Sequence, residues 1–202
     1  MAIATPNHRL TAAEYLEIER HAETKSEFFG GEMFAMAGGS VAHNQITTNL
    51  NRALGNRLAG KHGLAFFSDL RLHVEASGLY TYPDMMVICG PPQLADQRRD
   101  TVLNPTLIGE VLSESTQHYD RGAKFGFYRQ VPSLREFLLI SQWEPKIEQY
   151  HLESDNNWRL RDVVGLGDQL ALNSVSIIIP LAEIYAHVEF PVELPQPLFP
   201  KP

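Results

Sequence analysis

Two short apolar runs each carry one carboxylate, and that pairing constrains the chain more than any other feature. In "TYPDMMVICG", Asp84 follows a proline and opens the run Met85, Met86, Val87, Ile88, Cys89. In "NPTLIGEVLSEST", Glu110 follows Leu107, Ile108 and Gly109 and precedes Val111 and Leu112. Short apolar runs bounded by Gly or Pro read as buried strands. A charge in such a strand is costly unless something neutralises it. A metal ion is one means, and a buried Arg or Lys partner is another.

The elements around these runs define an α/β class. "TAAEYLEIER" opens with Thr11 and Glu14 at capping-box spacing and predicts a short helix. "EFFGGEMFAM" predicts a hairpin about Gly30–Gly31. The best helix is "SVAHNQITTNLNRALGNRLAG": Ser40 caps it, Gly60 ends it, and Ile46, Leu50, Ala53, Leu54 and Leu58 share a face. Strands are expected near 64–67, 70–75 and 82–89, a polar loop over 90–104, then the Glu110 strand. A helix over 119–131 follows, ending near Pro132. "REFLLIS", "KIEQYHL" and "WRLRDVV" predict three antiparallel strands, and "IIIPLAEIY" a strand end with a helical turn. The last twelve residues, "PVELPQPLFPKP", hold five prolines and predict an extended arm or loose tail. This order predicts a mixed β-sheet flanked by helices.

Composition narrows the function classes. The chain has 202 residues, ordinary hydrophobic content and a net charge of −7. That charge argues against a surface coated for nucleic-acid binding, but not against a basic face beside an acidic site. The single cysteine, Cys89, excludes an internal disulfide and a cysteine zinc cage, and fits a reducing cytoplasm. No signal peptide and no transmembrane run is evident. Dinucleotide and P-loop glycine patterns are missing.

Mg2+ takes hard oxygen ligands, so two carboxylates on adjacent strands with a substrate phosphate suffice for a site. Asp84 and Glu110 supply the carboxylates if their strands pair, and the Val111 carbonyl is a candidate third ligand. A cation two residues after Glu110 would share its face, but that position is Leu112. The nearest downstream lysine is Lys124. On a helix it shares a face with Asp120 and Tyr128 and could point back over the sheet. As neither core nor ligand, it is expected to be dispensable for folding.

A Pro-Asp pair before one apolar strand and a Glu within a second resembles the PD-(D/E)XK nuclease superfamily. The wider runs, including "EFFGGEMFAMAGGSVAHNQI", "TYPDMMVICG", "NPTLIGEVLSESTQHYDRGAKFGFYRQVPSLREFLLI" and "PLAEIY", are similar to the Uma-type family of restriction endonuclease-like proteins over roughly residues 10–187. Length predicts residues 1–190 as one domain, with 191–202 as a Pro-rich tail. The resemblance implies a restriction-endonuclease-like α/β fold. It implies catalytic residues Asp84, Glu110, Lys124 and Glu27, and a Mg2+ or Mn2+ ion on Asp84, Glu110 and Val111. It also implies cleavage leaving 5′-phosphate and 3′-hydroxyl ends; double-stranded DNA is the expected substrate, and two cuts on antiparallel strands predict a homodimer. The superfamily lysine is displaced from position 112 to Lys124 on the following helix. A non-enzymatic binding module and a hydrolase of other phosphate esters are the rivals.

Other residues have plainer readings. Asp84 could cap a turn, and Glu110 and Lys124 could serve only as structural charges. His43 is a structural histidine at a helix start, with phosphate or water contact as the alternative. Ser113, Ser115 and Thr116 suit turn and cap hydrogen bonds. Asp69 and Arg71 are expected to pair across a sheet, and Cys89 to be a small buried hydrophobe. Arg98, Arg99, Arg121, Arg129 and Arg135 are either phosphate clamps or solvated charges.

Overall fold

The computed structural model describes residues 9–191. Helix α1 (Ala12–His21) starts where Thr11 accepts from the Glu14 N–H and the Glu14 carboxylate accepts from the Thr11 N–H, a closed capping box. Strands β1 (Ser26–Phe29) and β2 (Glu32–Ala35) form the hairpin, with positive φ at both Gly30 and Gly31. Helix α2 (Val41–Leu58) has Ser40 as its N-cap, and buries the apolar face expected of it.

Strands β3 (Gly63–Phe67), β4 (Arg71–Val74), β5 (Leu79–Thr81), β6 (Met85–Cys89), β7 (Thr101–Val102) and β8 (Leu107–Val111) follow. A broken helix covers residues 117–128. Beyond it come β9 (Glu136–Ile140), β10 (Lys146–Leu152), β11 (Trp158–Val164), β12 (Gln169–Leu172), β13 (Ile177–Pro180) and a turn of helix at Leu181–Ile184.

The central sheet has the order β11-β10-β9-β8-β6-β3, and only β8 and β9 run parallel. A parallel neighbour cannot be reached by a tight turn and needs a crossover. The 117–128 helix is that crossover, so it lies over one face of β8 and β9. A second sheet, β2-β1-β5-β4-β7, and the pair β12-β13 complete the fold.

Period-two alternation assigns the faces. Met85, Val87, Leu107, Val111, Leu138 and Ile140 pack with α2, β12, β13 and the 181–184 turn. Met86, Ile88, Ile108, Leu112, Phe137 and Leu139 pack with β4, β5, β7 and the crossover helix. Glu110 shares its parity with Ile108 and Leu112, so it faces the crossover helix and the second sheet. A third cluster, Tyr15, Phe28 and Tyr80, ties α1 to β1 and β5.

Several expectations need correction. The strand expected over 82–89 is shorter, β6 over Met85–Cys89, because Pro83 lacks the N–H that would continue the ladder through Tyr82–Asp84, and β5 over Leu79–Thr81 precedes it unforeseen. The 90–104 loop contains β7, paired in parallel with β4, and β12 was not foreseen because "QLAL" is short and flanked by polar residues. The helix expected over 119–131 instead spans 117–128 and is interrupted by a π-helical turn at Asp120–Lys124. Cys89 is exposed at the end of β6. Asp69 and Arg71 do not pair with each other: Asp69 meets Lys25, and buried Arg71 meets Asp100, Tyr82 and Thr101. Of the proline-rich tail, all but Pro191 lies outside the described residues.

Leu54 joins α2 to the central sheet and is fully buried. We expect Leu54→Ala to lower unfolding free energy by about 2–5 kcal/mol in denaturant titrations, through lost burial and the cavity left behind.

Candidate active site

The β6–β8 register brings the two carboxylates together. Met85 lies opposite Gly109 and Met86 opposite Ile108. One step further along this antiparallel ladder sets Asp84 across from Glu110. Cross-strand neighbours stand on the same sheet face. The Val111 N–H donates to Asp84 Oδ2 at 2.8 Å, and the Asp84 N–H makes a long contact of 3.4 Å with Glu110 Oε2.

The second sheet adds Glu27. Phe28 pairs with Tyr80 between β1 and β5, and the next antiparallel step sets Glu27 beside Thr81. The Thr81 hydroxyl donates to Glu27 Oε1 at 2.5 Å. The chain then needs only Tyr82 and Pro83 to reach Asp84. Glu27 and Asp84 are thus delivered by neighbouring stretches of backbone.

The crossover helix supplies the cation. Lys124 Nζ lies 3.0 Å from Glu110 Oε1, 3.1 Å from Glu27 Oε1 and 3.7 Å from Asp120 Oδ1. The Tyr128 hydroxyl donates to Glu110 Oε1 at 2.6 Å. Asp120 Oδ2 accepts from Thr116 Oγ1 at 2.7 Å. Asp120, Lys124 and Tyr128, spaced by four, all point inward. The π turn at Asp120–Lys124 widens the helix there, a local feature that recurs at functional sites.

His43 approaches from the first turn of α2, and its Nε2 lies 3.3 Å from Asp84 Oδ1. Nearby, Gln142 Nε2 donates to the Leu112 carbonyl at 2.8 Å, and Ser40 Oγ donates to Gln142 Oε1. These contacts fasten the start of α2 to the end of β8.

Electrostatics follow from the burial. Four carboxylates, Glu27, Asp84, Glu110 and Asp120, share one lysine and one histidine. Burial pushes the Glu110 carboxyl well above its usual range, with Lys124 opposing and Asp84 and Asp120 adding to the rise. Burial likewise raises Asp120, against Lys124 and the Thr116 hydrogen bond. Burial alone would favour neutral Lys124, but Glu110, Tyr128, Glu27 and Asp120 outweigh it and hold the ammonium charged. Burial and the Glu110 charge hold the Tyr128 hydroxyl protonated, so it stays a donor. For His43, burial disfavours the charged ring, but Asp84, Glu110 and the Val111 backbone prevail and raise its pKa.

The donor chemistry fits a hard divalent cation. Glu110 Oε1 is occupied by Lys124 and Tyr128, whereas Oε2 has only the long Asp84 contact. Asp84 Oδ1 faces His43. Both oxygens belong to a cluster with surplus negative charge, which a divalent cation would offset. Among the described residues, no three His, Cys, Asp or Glu side chains are gathered around one preset cation position. A cation would therefore have to draw its ligands together.

The structure brings Glu27, Asp84, Glu110 and Lys124 together, and Lys124, which the sequence reading placed outside the core, is buried and ion-paired. Ser113 accepts from the Thr116 N–H at 3.2 Å, an ordinary turn contact. Arg121 pairs with Glu148, and Arg135 donates to the Pro132 and Leu134 carbonyls. Sequence reasoning missed Thr81 as the partner of Glu27. It had the signal for Tyr128, the four-residue spacing from Lys124. It also read His43 as structural, although it touches Asp84.

Residues 12–182 match the family model Uma2, described as "Putative restriction endonuclease", and the chain belongs to this family. Relatives include two proteins of Synechocystis sp. The first, sll1609, is 41% identical over 177 residues, covering 88% of this chain and all of the relative. The second, slr1290, is 34% identical over 189 residues, covering 93% and 97%. A crystal structure from Anabaena variabilis, titled "a putative nuclease belonging to DUF820", superposes with a TM-score of 0.68 at 14% identity, covering 88% of this chain and 98% of that one. That likeness establishes the shared fold. Among the described residues, no helix is long and apolar enough to cross a membrane.

Two predictions follow from the charge balance. Removing Lys124 leaves buried carboxylates uncompensated, so Lys124→Ala should cost about 3–5 kcal/mol in chemical denaturation, where loss below about 1 kcal/mol would contradict the pairing. Added Mn2+ should recover part of that loss. The second concerns pH. Native Glu110 and Asp120 hold protons more tightly than their ordinary values of 4.5 and 3.8. The native state therefore binds more protons than the unfolded chain above those values. Stability of the metal-free protein should fall as pH rises from there toward neutrality. Denaturation midpoints across that range should show a shallower decline in Glu110→Gln.

Proposed function

We propose that this protein is a divalent-metal-dependent endonuclease that hydrolyses phosphodiester bonds of double-stranded DNA. The observation that supports it most is the meeting of Asp84, Glu110, Glu27 and Lys124 in one largely buried cluster, drawn from the residue before β6, from β8, from β1 and from the crossover helix. Family membership supports a nucleic-acid phosphodiester as substrate. Asp84 and Glu110 would hold Mg2+ or Mn2+, with the Val111 carbonyl at the same strand end as a further oxygen. A bound divalent ion supplies Lewis acidity toward water and the scissile phosphate, and offsets charge on the leaving oxygen.

The chain's own groups set up the rest. Lys124, held charged by its carboxylates, is the cation for the attacking water or a phosphate oxygen. Glu27 and Asp120 fix the ammonium from two sides, and Tyr128 holds one Glu110 oxygen so that the other is offered outward. In-line attack of water would leave 5′-phosphate and 3′-hydroxyl ends. Cutting both strands calls for two equivalent sites, so a two-fold homodimer belongs to the same reading.

The experiment is plasmid DNA incubated with purified protein and Mg2+ or Mn2+, against EDTA. We expect nicking or linearisation that EDTA abolishes. Glu110→Gln and Lys124→Ala should each lower the rate by about 10²-fold or more, with folding of each variant checked by circular dichroism. No cleavage under any metal, or variants cutting at the wild-type rate, would overturn the proposal in favour of a non-enzymatic binding module or another site.

A further inference from the structure

The metal reading above leaves one polar side chain at the cluster without a role. His43 sits in the first turn of α2, a helix of 18 residues capped by Ser40 and held to the β8 end through Gln142 and the Leu112 carbonyl. Its side chain is 18% exposed. Its Nδ1 is buried and has no hydrogen-bond partner among the described residues. The polar groups that act on the ring are the Asp84 carboxylate, the Val111 backbone and Glu110. Gly39 makes room for the ring. A Cβ there would stand 2.5 Å from His43 Cδ2 and 2.8 Å from Cγ, so the edge carrying Nε2 is seated against bare backbone.

The spacing of the ring is informative. Two ligands at adjacent corners of an octahedron, each about 2.1 Å from the metal, stand about 3.0 Å apart. His43 Nε2 and Asp84 Oδ1 are 3.3 Å apart. A cation bridging them would need only a few tenths of an ångström of closure in that pair, from a ring already at the Asp84 oxygen that does not accept from Val111. The movement that gathers the ligands then falls mainly on the Glu110 side chain, whose Oε2 has only a long contact to release.

We propose that His43 Nε2 is a direct nitrogen ligand of the metal, making the site a mixed His43, Asp84 and Glu110 centre that favours a first-row transition ion such as Mn2+ over Mg2+. This rests on the metal reading of Asp84 and Glu110. The ring binds through the lone pair of neutral Nε2, with the proton on Nδ1, at the cost of a buried N–H that has no partner among the described residues. Imidazole is a poor partner for Mg2+, which takes hard oxygens and dehydrates reluctantly, whereas first-row transition ions accept it readily. His43 would then set which metal the site selects.

The test is Mn2+ and Mg2+ binding to the full chain at about pH 8, above the ordinary imidazole range, followed by calorimetry and pulsed electron paramagnetic resonance. Wild-type protein loaded with Mn2+ should show coupling to a directly bound 14N nucleus. His43→Gln should lose that coupling and bind Mn2+ about tenfold or more weakly, while its Mg2+ affinity changes less than about threefold. A purely structural histidine would shift both metals alike. Asp84→Asn and Glu110→Gln report on the underlying reading by losing Mn2+ binding outright. Mn2+ bound in an Asp84- and Glu110-dependent way without nitrogen coupling would overturn His43 as ligand while sparing that reading. Mn2+ binding indifferent to all three variants, or absent, would overturn both.

Discussion

The buried ammonium of Lys124 is the interaction around which the site is arranged. Three carboxylates from three different elements reach it: Glu110 from β8, Glu27 from β1 and Asp120 from its own helix. Without that charge the second sheet and the central sheet would press two acidic side chains into one desolvated space. Removing one partner of such a cluster costs more than the net worth of the pair, because the charges left behind stay buried. Even with Lys124 present the cluster holds more acidic than basic side chains, and burial first, then the neighbouring carboxylates, raises the Glu110 and Asp120 pKa values. A second positive charge would offset that surplus.

The fold explains why the charges meet here. The only parallel pair in the central sheet, β8 and β9, demands a crossover, and the crossover helix covers the face to which Glu110 points. The antiparallel β6–β8 register puts Asp84 beside Glu110, while β5 hands Glu27 to the same corner through Thr81. No loop is needed to place a charged group of this cluster. Each comes from a strand, a strand end or a helix, elements rigid enough to hold a fixed geometry.

Much of this was legible in the sequence because apolar patterning is local. The capping box at Thr11, the Gly30–Gly31 hairpin, the buried face of α2 and the Asp84 and Glu110 strands are all properties of short windows. Lys124 was reachable because the residue expected to carry the charge, Leu112, could not. What sequence could not supply was pairing at a distance. Thr81 became a partner of Glu27 only through the β1–β5 register, and Arg71 chose Asp100 over Asp69 because β4 pairs with β7. The π turn at Asp120–Lys124 has no composition signal, since its residues satisfy an ordinary helix pattern. His43 looked like a helix-start histidine because nothing local shows that α2 begins beside Asp84.

On the reading proposed above, the carboxylates at the ends of β6 and β8 hold a divalent cation next to a charged Lys124. Anomalous diffraction from crystals grown with Mn2+ tests this most directly, since the scattering locates the ion without reference to activity. We expect one strong peak within about 2.0–2.3 Å of oxygens from both Asp84 and Glu110, with the Lys124 ammonium still paired to Glu27. A peak elsewhere, or Lys124 turned out to solvent with the carboxylates empty, would contradict it.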